Sequence, residues 1–209
     1  APLARLCLTC PCPNSYYGDA WGVAGGGGQV ANESSMIAVA DGLAQQKLLS
    51  SVKIWQLDDW WYPGEKSIYV HCVRNWTLGQ PAFSRSLGAL SKRVQTPWLL
   101  YVPFFCPENV YTSKYKFVHG APSMPGFAEP DPADGNALAF YRELFDYGIA
   151  NGMAGFENDF LNYNLLAVPH FRTSFNASTG WLAAMNAAAL ERRLPVQMCM
   201  ALPSDLMAS

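Results

Sequence analysis

Two hydrophobic rhythms alternate along the chain. Short unbroken apolar runs, bounded by Gly, Pro or charged residues, predict strands buried on both faces. Longer stretches with apolar residues every three or four positions predict helices packed by one face. Ser34 and Ser35 suit the cap of the first helix, which carries Met36, Ile37, Val39, Ala40, Leu43, Ala44 and Leu48. Val52 to Leu57 follows as a strand. Phe83 to Val94 is the second helix, with Phe83, Leu87, Leu90 and Val94 on one face, and Pro97 to Pro103 is the next strand. The third helix, Asn136 to Asn151, has Asp134 as its cap and Gly152 as its stop; Leu138, Tyr141, Leu144, Phe145 and Ile149 form its stripe. Strand Met153 to Phe156, helix Trp181 to Arg193 and strand Pro195 to Met200 complete the series. Ile68 to Val73 reads as a strand on an excursion after Trp61, and Leu3 to Leu8 as a first strand.

The strands enter apolar and leave acidic. The run ending at Leu57 stops at Asp58-Asp59-Trp60-Trp61, and the run ending at Phe156 stops at Glu157-Asn158-Asp159. Asp205 lies in the exit loop of the last strand. Carboxylates at the C-terminal ends of parallel strands are how a (β/α)8 barrel builds an active site. The pattern therefore predicts an α/β fold: a partial (β/α)8 TIM barrel of about four to five βα units with parallel strands. One such partial domain spans residues 1–209, and residues 1–33 form its loop-rich Gly/Pro/Cys segment. Gly25 to Gly28 lack the Lys-Ser/Thr of a phosphate-binding loop. The long loop from Cys106 to Asp134 is of a length usually kept for function. So few units leave an open sheet edge, so the C-terminal remainder of the barrel is expected outside this chain.

Composition narrows the partners. A net charge of −2 without a basic run excludes a nucleic-acid face. No apolar run approaches the roughly 20 residues of a membrane span. Aromatic residues make up 13% of the chain, enough for a sugar-stacking site or for a large aromatic core. The three histidines are scattered, so no metal or other cofactor is expected. His71 is read as a structural residue; His119 and His170 fall in loops. Cys7, Cys10 and Cys12 cluster without a second ligand pair, and Cys72 and Cys199 sit in apolar runs as small hydrophobes, so no disulfide scaffold is expected. Three Asn-x-Ser/Thr sequons, at Asn32, Asn75 and Asn176, lean toward a secreted or secretory/lysosomal protein.

Leu57-Asp58-Asp59-Trp60-Trp61 resembles the segment that ends the second strand in the α-galactosidase-like (melibiase) clan of glycoside hydrolases. Phe83-Ser84-Arg85-Ser86-Leu87 resembles the helix that follows, with Ser84 and Ser86 in place of its Pro and Gly. Tyr101-Val102-Pro103-Phe104-Phe105 resembles the third strand, and Glu157-Asn158-Asp159 falls where the clan has Lys-x-Asp, whose Asp is the nucleophile. The strand Gln197 to Met200 falls where the clan has its fifth. The likeness runs in order from about residue 34 to the end. It implies Asp159 as nucleophile and Asp58 and Asp59 as sugar-hydroxyl ligands. Glu157 departs from the clan's Lys, and the clan's general acid/base follows a sixth strand that this chain does not reach.

The chemistry expected is hydrolysis of an O-glycosidic bond. A retaining site needs two carboxyl groups roughly 5–5.5 Å apart, one to attack the anomeric carbon and one to carry the proton. Asp159 and Glu157 are the catalytic candidates, since residues two apart on a strand point the same way. Glu157 has a plainer alternative, pairing with Arg142, Arg172 or a Lys. Asp58, Asp59, Trp60, Trp61 and Asp205 are the candidate substrate-binding residues, with one of the two Trp expected in the core. Trp21 and Trp76 are weaker stacking candidates. The partner is a carbohydrate on either of two readings: a glycosidase, or a barrel that binds sugar without cleaving it.

Overall fold

The computed structural model describes residues 32–201, apart from residues 60, 67–70, 80–82 and 175. The expectations for Leu3 to Leu8, the Cys7/Cys10/Cys12 cluster, the four-glycine run, Trp21, Trp60 and Asp205 lie outside the described residues. Helix α1 spans Glu33–Gln45 and is capped by Asn32, just ahead of the predicted serines. The Asn32 side chain accepts from the Ser35 N–H at 3.0 Å, and the Ser35 hydroxyl accepts from the Asn32 N–H at 2.9 Å. Strand β1 (Trp55–Leu57) follows, then an antiparallel hairpin of β2 (Gly64–Lys66) and β3 (His71–Val73), the expected excursion.

Helix α2 covers Leu87–Val94 with Ser86 as its cap. Phe83 precedes the helix yet is fully buried, so its hydrophobicity serves the core without helical geometry. Strand β4 (Trp98–Val102) is buried at all five residues. The segment from Cys106 to Asp134 is not structureless, for it holds a second hairpin, β5 (Phe117–His119) with β6 (Ala128–Pro130). Helix α3 (Asn136–Ala150) starts after Gly135, and Asp134 sits in a left-handed turn ahead of it rather than capping it. Gly152 reverses the chain with φ at +94°, where an added Cβ would approach Ser91 Oγ to 2.4 Å.

Strand β7 (Met153–Asn158) leads into two short helices, α4 (Leu161–Ala167) and α5 (Pro169–Thr173), so His170 lies in a helix and not in the expected loop. Pro169 opens α5 and forces Val168 to be extended, which breaks any longer periodicity. Helix α6 (Ala177–Glu191) and strand β8 (Val196–Met198) end the series.

The main sheet has the order β1-β4-β7-β8, parallel throughout, with Leu57, Leu100, Phe156 and Val196 in register. Strand order follows chain order, with a helical crossover between each pair; this is a partial (β/α)8 barrel. Helices α3 and α6 pack together, and Trp181 donates its indole N–H to the Tyr141 hydroxyl at 2.8 Å. Cys72 is not a free small hydrophobe: it forms a disulfide with Cys106, tying β3 to the chain leaving β4.

Candidate active site

Three of the four strands of the main sheet deliver polar groups to one end. Asp58 and Asp59 follow β1 directly, Glu157 and Asp159 close β7, and Gln197 and Cys199 close β8. Strand alternation sorts them. Glu157 faces Gln56 and Gln197, while Asn158, between the two carboxyls, turns its amide to Met185 Sδ at 3.4 Å. Asp159 returns to the face of Glu157, and the ligand atoms of Glu157, Asp159 and Cys199 lie within 4.8 Å of one another.

Two glutamines hold Glu157. Gln56 Nε2 donates to one carboxyl oxygen at 2.5 Å and Gln197 Nε2 to the other at 2.9 Å. The Gln56 amide also lies 3.0 Å from Asp58 Oδ2, so one side chain bridges the tips of β1 and β7. The expected alternative, an ion pair with Arg142, Arg172 or a Lys, is not found for Glu157 among the described residues, and Arg142 binds Glu191 instead. Burial pushes the Glu157 carboxyl up to about 8, helped by the charges of Asp58 and Asp159 and opposed by the two amides. Tyr101, level with Glu157 on β4, is raised well above the usual phenol by burial and then by Asp159, Asp59, Asp58 and Glu157. Four of the five predicted carboxylates, all but Asp205, thus disfavour ionisation of this one buried phenol.

They do not play equal parts. Asp58 is 9% exposed, and its Oδ1 accepts from the Asp59 N–H at 2.8 Å. Asp59 is fully buried; it accepts from the Tyr62 hydroxyl at 2.8 Å and the His71 N–H at 3.2 Å, and faces His71 Nδ1 at 3.2 Å. Its carboxylate is spent on the β2–β3 hairpin, so the geometry turns it from a sugar ligand into a structural hub. Asp159 is 7% exposed and accepts from the Phe160 N–H at 2.7 Å. Phe160, the residue before α4, takes φ of +55°, a conformation unusual for a bulky residue.

Trp61 offers no stacking face. It is fully buried, with its ring against Trp76 at 5.7 Å and Tyr62 at 5.4 Å. Trp76 is also in the core, donating to the Tyr101 carbonyl at 3.1 Å. His119 and His170 are exposed. Sequence reasoning missed Gln56, Tyr101, Gln197 and Cys199. Polar residues two apart on one strand, as in Gln56/Asp58 and Gln197/Cys199, are the signal that finds three of them. Glu157, Asp159 and Cys199 are spaced to hold a metal ion, but the amide hydrogens of Gln56 and Gln197 aimed at Glu157 oppose a cation there.

No family model matches the sequence, and no curated protein sequence does. Solved structures do. An alpha-galactosidase from Thermus thermophilus superposes with a TM-score of 0.61 at 17% identity, covering 96% of this chain and 40% of its own. A GH27 β-L-arabinopyranosidase from Geobacillus stearothermophilus gives 0.59 at 12% identity, over 93% of this chain and 49% of its own. An alpha-galactosidase from Lactobacillus brevis gives 0.59 at 13% identity, over 90% and 26%. The chain spans half or less of these structures' length. It is folded as part of the (β/α)8 barrel that these glycosidases share.

Proposed function

We propose that this chain carries the nucleophile of an O-glycoside hydrolase, with Asp159 attacking and Glu157 carrying the proton. The observation that supports it most is the pairing of two carboxyls on one face at the C-terminal end of β7, with Glu157 raised to about 8. In a retaining reaction an Asp159 oxygen bonds to the anomeric carbon as the bond to the leaving oxygen breaks. The Glu157 proton passes to that oxygen. Water then attacks the glycosyl ester, gives its proton back to Glu157 and frees Asp159. Asp58, tied to Glu157 through Gln56, accepts from a sugar hydroxyl. The likeness to alpha-galactosidases favours an α-galactoside or a related sugar as the substrate.

The full-length protein should hydrolyse a chromogenic α-galactoside, and Asp159→Asn should lower kcat by about 10³-fold or more. A variant that keeps the wild-type rate removes Asp159 from the role. The second reading, a sugar-binding barrel without turnover, has one observation in its favour: both Glu157 oxygens already accept from glutamine amides. Saturable binding of galactose by a protein that turns over no glycoside would select it.

A further inference from the structure

The sequon Asn75-Trp76-Thr77 opens onto a cavity that the reaction does not use. The cavity, about 300 Å³, lies between α3 and the segments that leave β3 and β4. That is the lower end of the range of roughly 300–1,000 Å³ for small-ligand sites. Its walls are aromatic: Tyr111, Tyr115 and Phe140 on one side, Trp76 and Tyr147 on the other. Tyr111 and Tyr115 each stand at 5.4 Å from the Phe140 ring, and Tyr147 at 6.5 Å from Trp76. Polar groups gather at its rim. The Tyr147 hydroxyl donates to the Thr77 hydroxyl at 3.1 Å, and the Tyr115 hydroxyl donates to Glu143 at 2.7 Å. Asn75 is half-buried there, and its side-chain amide has no hydrogen-bond partner among the described residues.

We propose that Asn75 carries an N-linked glycan whose first N-acetylglucosamine is seated in this aromatic cavity. Two independent features support it. The sequon supplies the acceptor amide and the Thr that glycosylation needs. The Cys72–Cys106 disulfide, three residues ahead, needs an oxidising compartment, and the secretory route provides both that environment and the glycan donor. The other sequons differ. Asn32 spends its side-chain oxygen on capping α1, and Asn176 is exposed at the start of α6. Only Asn75, among these three, faces a cavity with aromatic walls.

The donor is a lipid diphosphate-linked oligosaccharide. A bond forms between Asn75 Nδ2 and C1 of the first sugar; the bond from C1 to the diphosphate oxygen breaks; the amide proton leaves with the lipid diphosphate. Trp76 is fully buried, so the transfer precedes closure of the fold, and the sugar then packs its C–H face on the tyrosine rings while Glu143 and Thr77 meet its hydroxyls.

The full chain should be secreted from a eukaryotic cell line and its tryptic peptides read by mass spectrometry. The Asn75 peptide should carry a hexosamine-based glycan that peptide-N-glycosidase removes, converting Asn75 to Asp. Asn75→Gln should lose one glycan's mass, and Thr77→Ser should keep it. Recovery of the wild-type Asn75 peptide only in unmodified form overturns the proposal. For the seat, the glycan on the folded wild type should resist the glycosidase at least ten-fold longer than on Tyr147→Ala. Equal release rates from the two folded proteins overturn the seating.

Discussion

In the proposed mechanism Glu157 carries the proton, and its protonation has two separable consequences. A carboxyl that titrates near 8 donates its proton at neutral pH, so kcat should hold up to about pH 8 and fall above it. Glu157→Gln should abolish that alkaline limb along with most of the rate. The same shift bears on stability. An unfolded Glu loses its proton near 4.3, whereas the folded one keeps it to about 8. The favourable contribution is complete below the unfolded value and is lost as pH rises through the folded one. Urea denaturation should therefore show the protein losing a few kcal/mol between pH 5 and pH 8, at most. Glu157→Gln should flatten that slope, and an unchanged slope would mean that Glu157 is not the group responsible. The carboxyl pair itself is legible in the sequence, because Glu157 and Asp159 are two apart on a strand. Its glutamine cradle is not. Gln56 lies 101 residues from Glu157, and an amide in an apolar run acquires meaning only once strand neighbours are known.

The β2–β3 hairpin shows how an element can take over a residue that sequence alone assigns to substrate. Asp59 has an acidic neighbour and a strand end, as a sugar ligand should, but Tyr62 and His71 reach it first and bury it. Asp59→Ala removes the acceptor that the Tyr62 hydroxyl and the His71 N–H share and should cost about 2–4 kcal/mol in denaturant melts. Asp58→Ala, at the mouth, should cost less stability and raise KM instead. The disulfide anchors the same hairpin one residue further along β3, at Cys72. Cys72→Ala with Cys106→Ala should lower stability by about 2–4 kcal/mol, since a 34-residue separation is released in the unfolded chain. That bond is not legible either, because six cysteines at uneven spacing do not reveal which two approach. The helices and parallel strands are legible because hydrophobic period and strand length agree along the described chain. The short helices α4 and α5 escape because Pro169 cuts the period between them.

For the whole molecule, sequence-ordered parallel strands place every strand tip on one side, and the acidic mouth follows from that topology. The parallel order brings Asp58 and Glu157 onto the Gln56 amide and Asp159 beside Glu157, the arrangement on which the proposed nucleophile rests. The central claim is that Asp159 forms the covalent bond to the sugar. The direct measurement is to incubate the full-length protein with an activated fluoro-α-galactosyl fluoride, which slows hydrolysis of the intermediate, and to map the added mass by peptide sequencing. One galactosyl-derived adduct on Asp159, absent from Asp159→Asn, is the predicted result. An adduct on another residue, or no adduct and no turnover of any α-galactoside, would contradict the account.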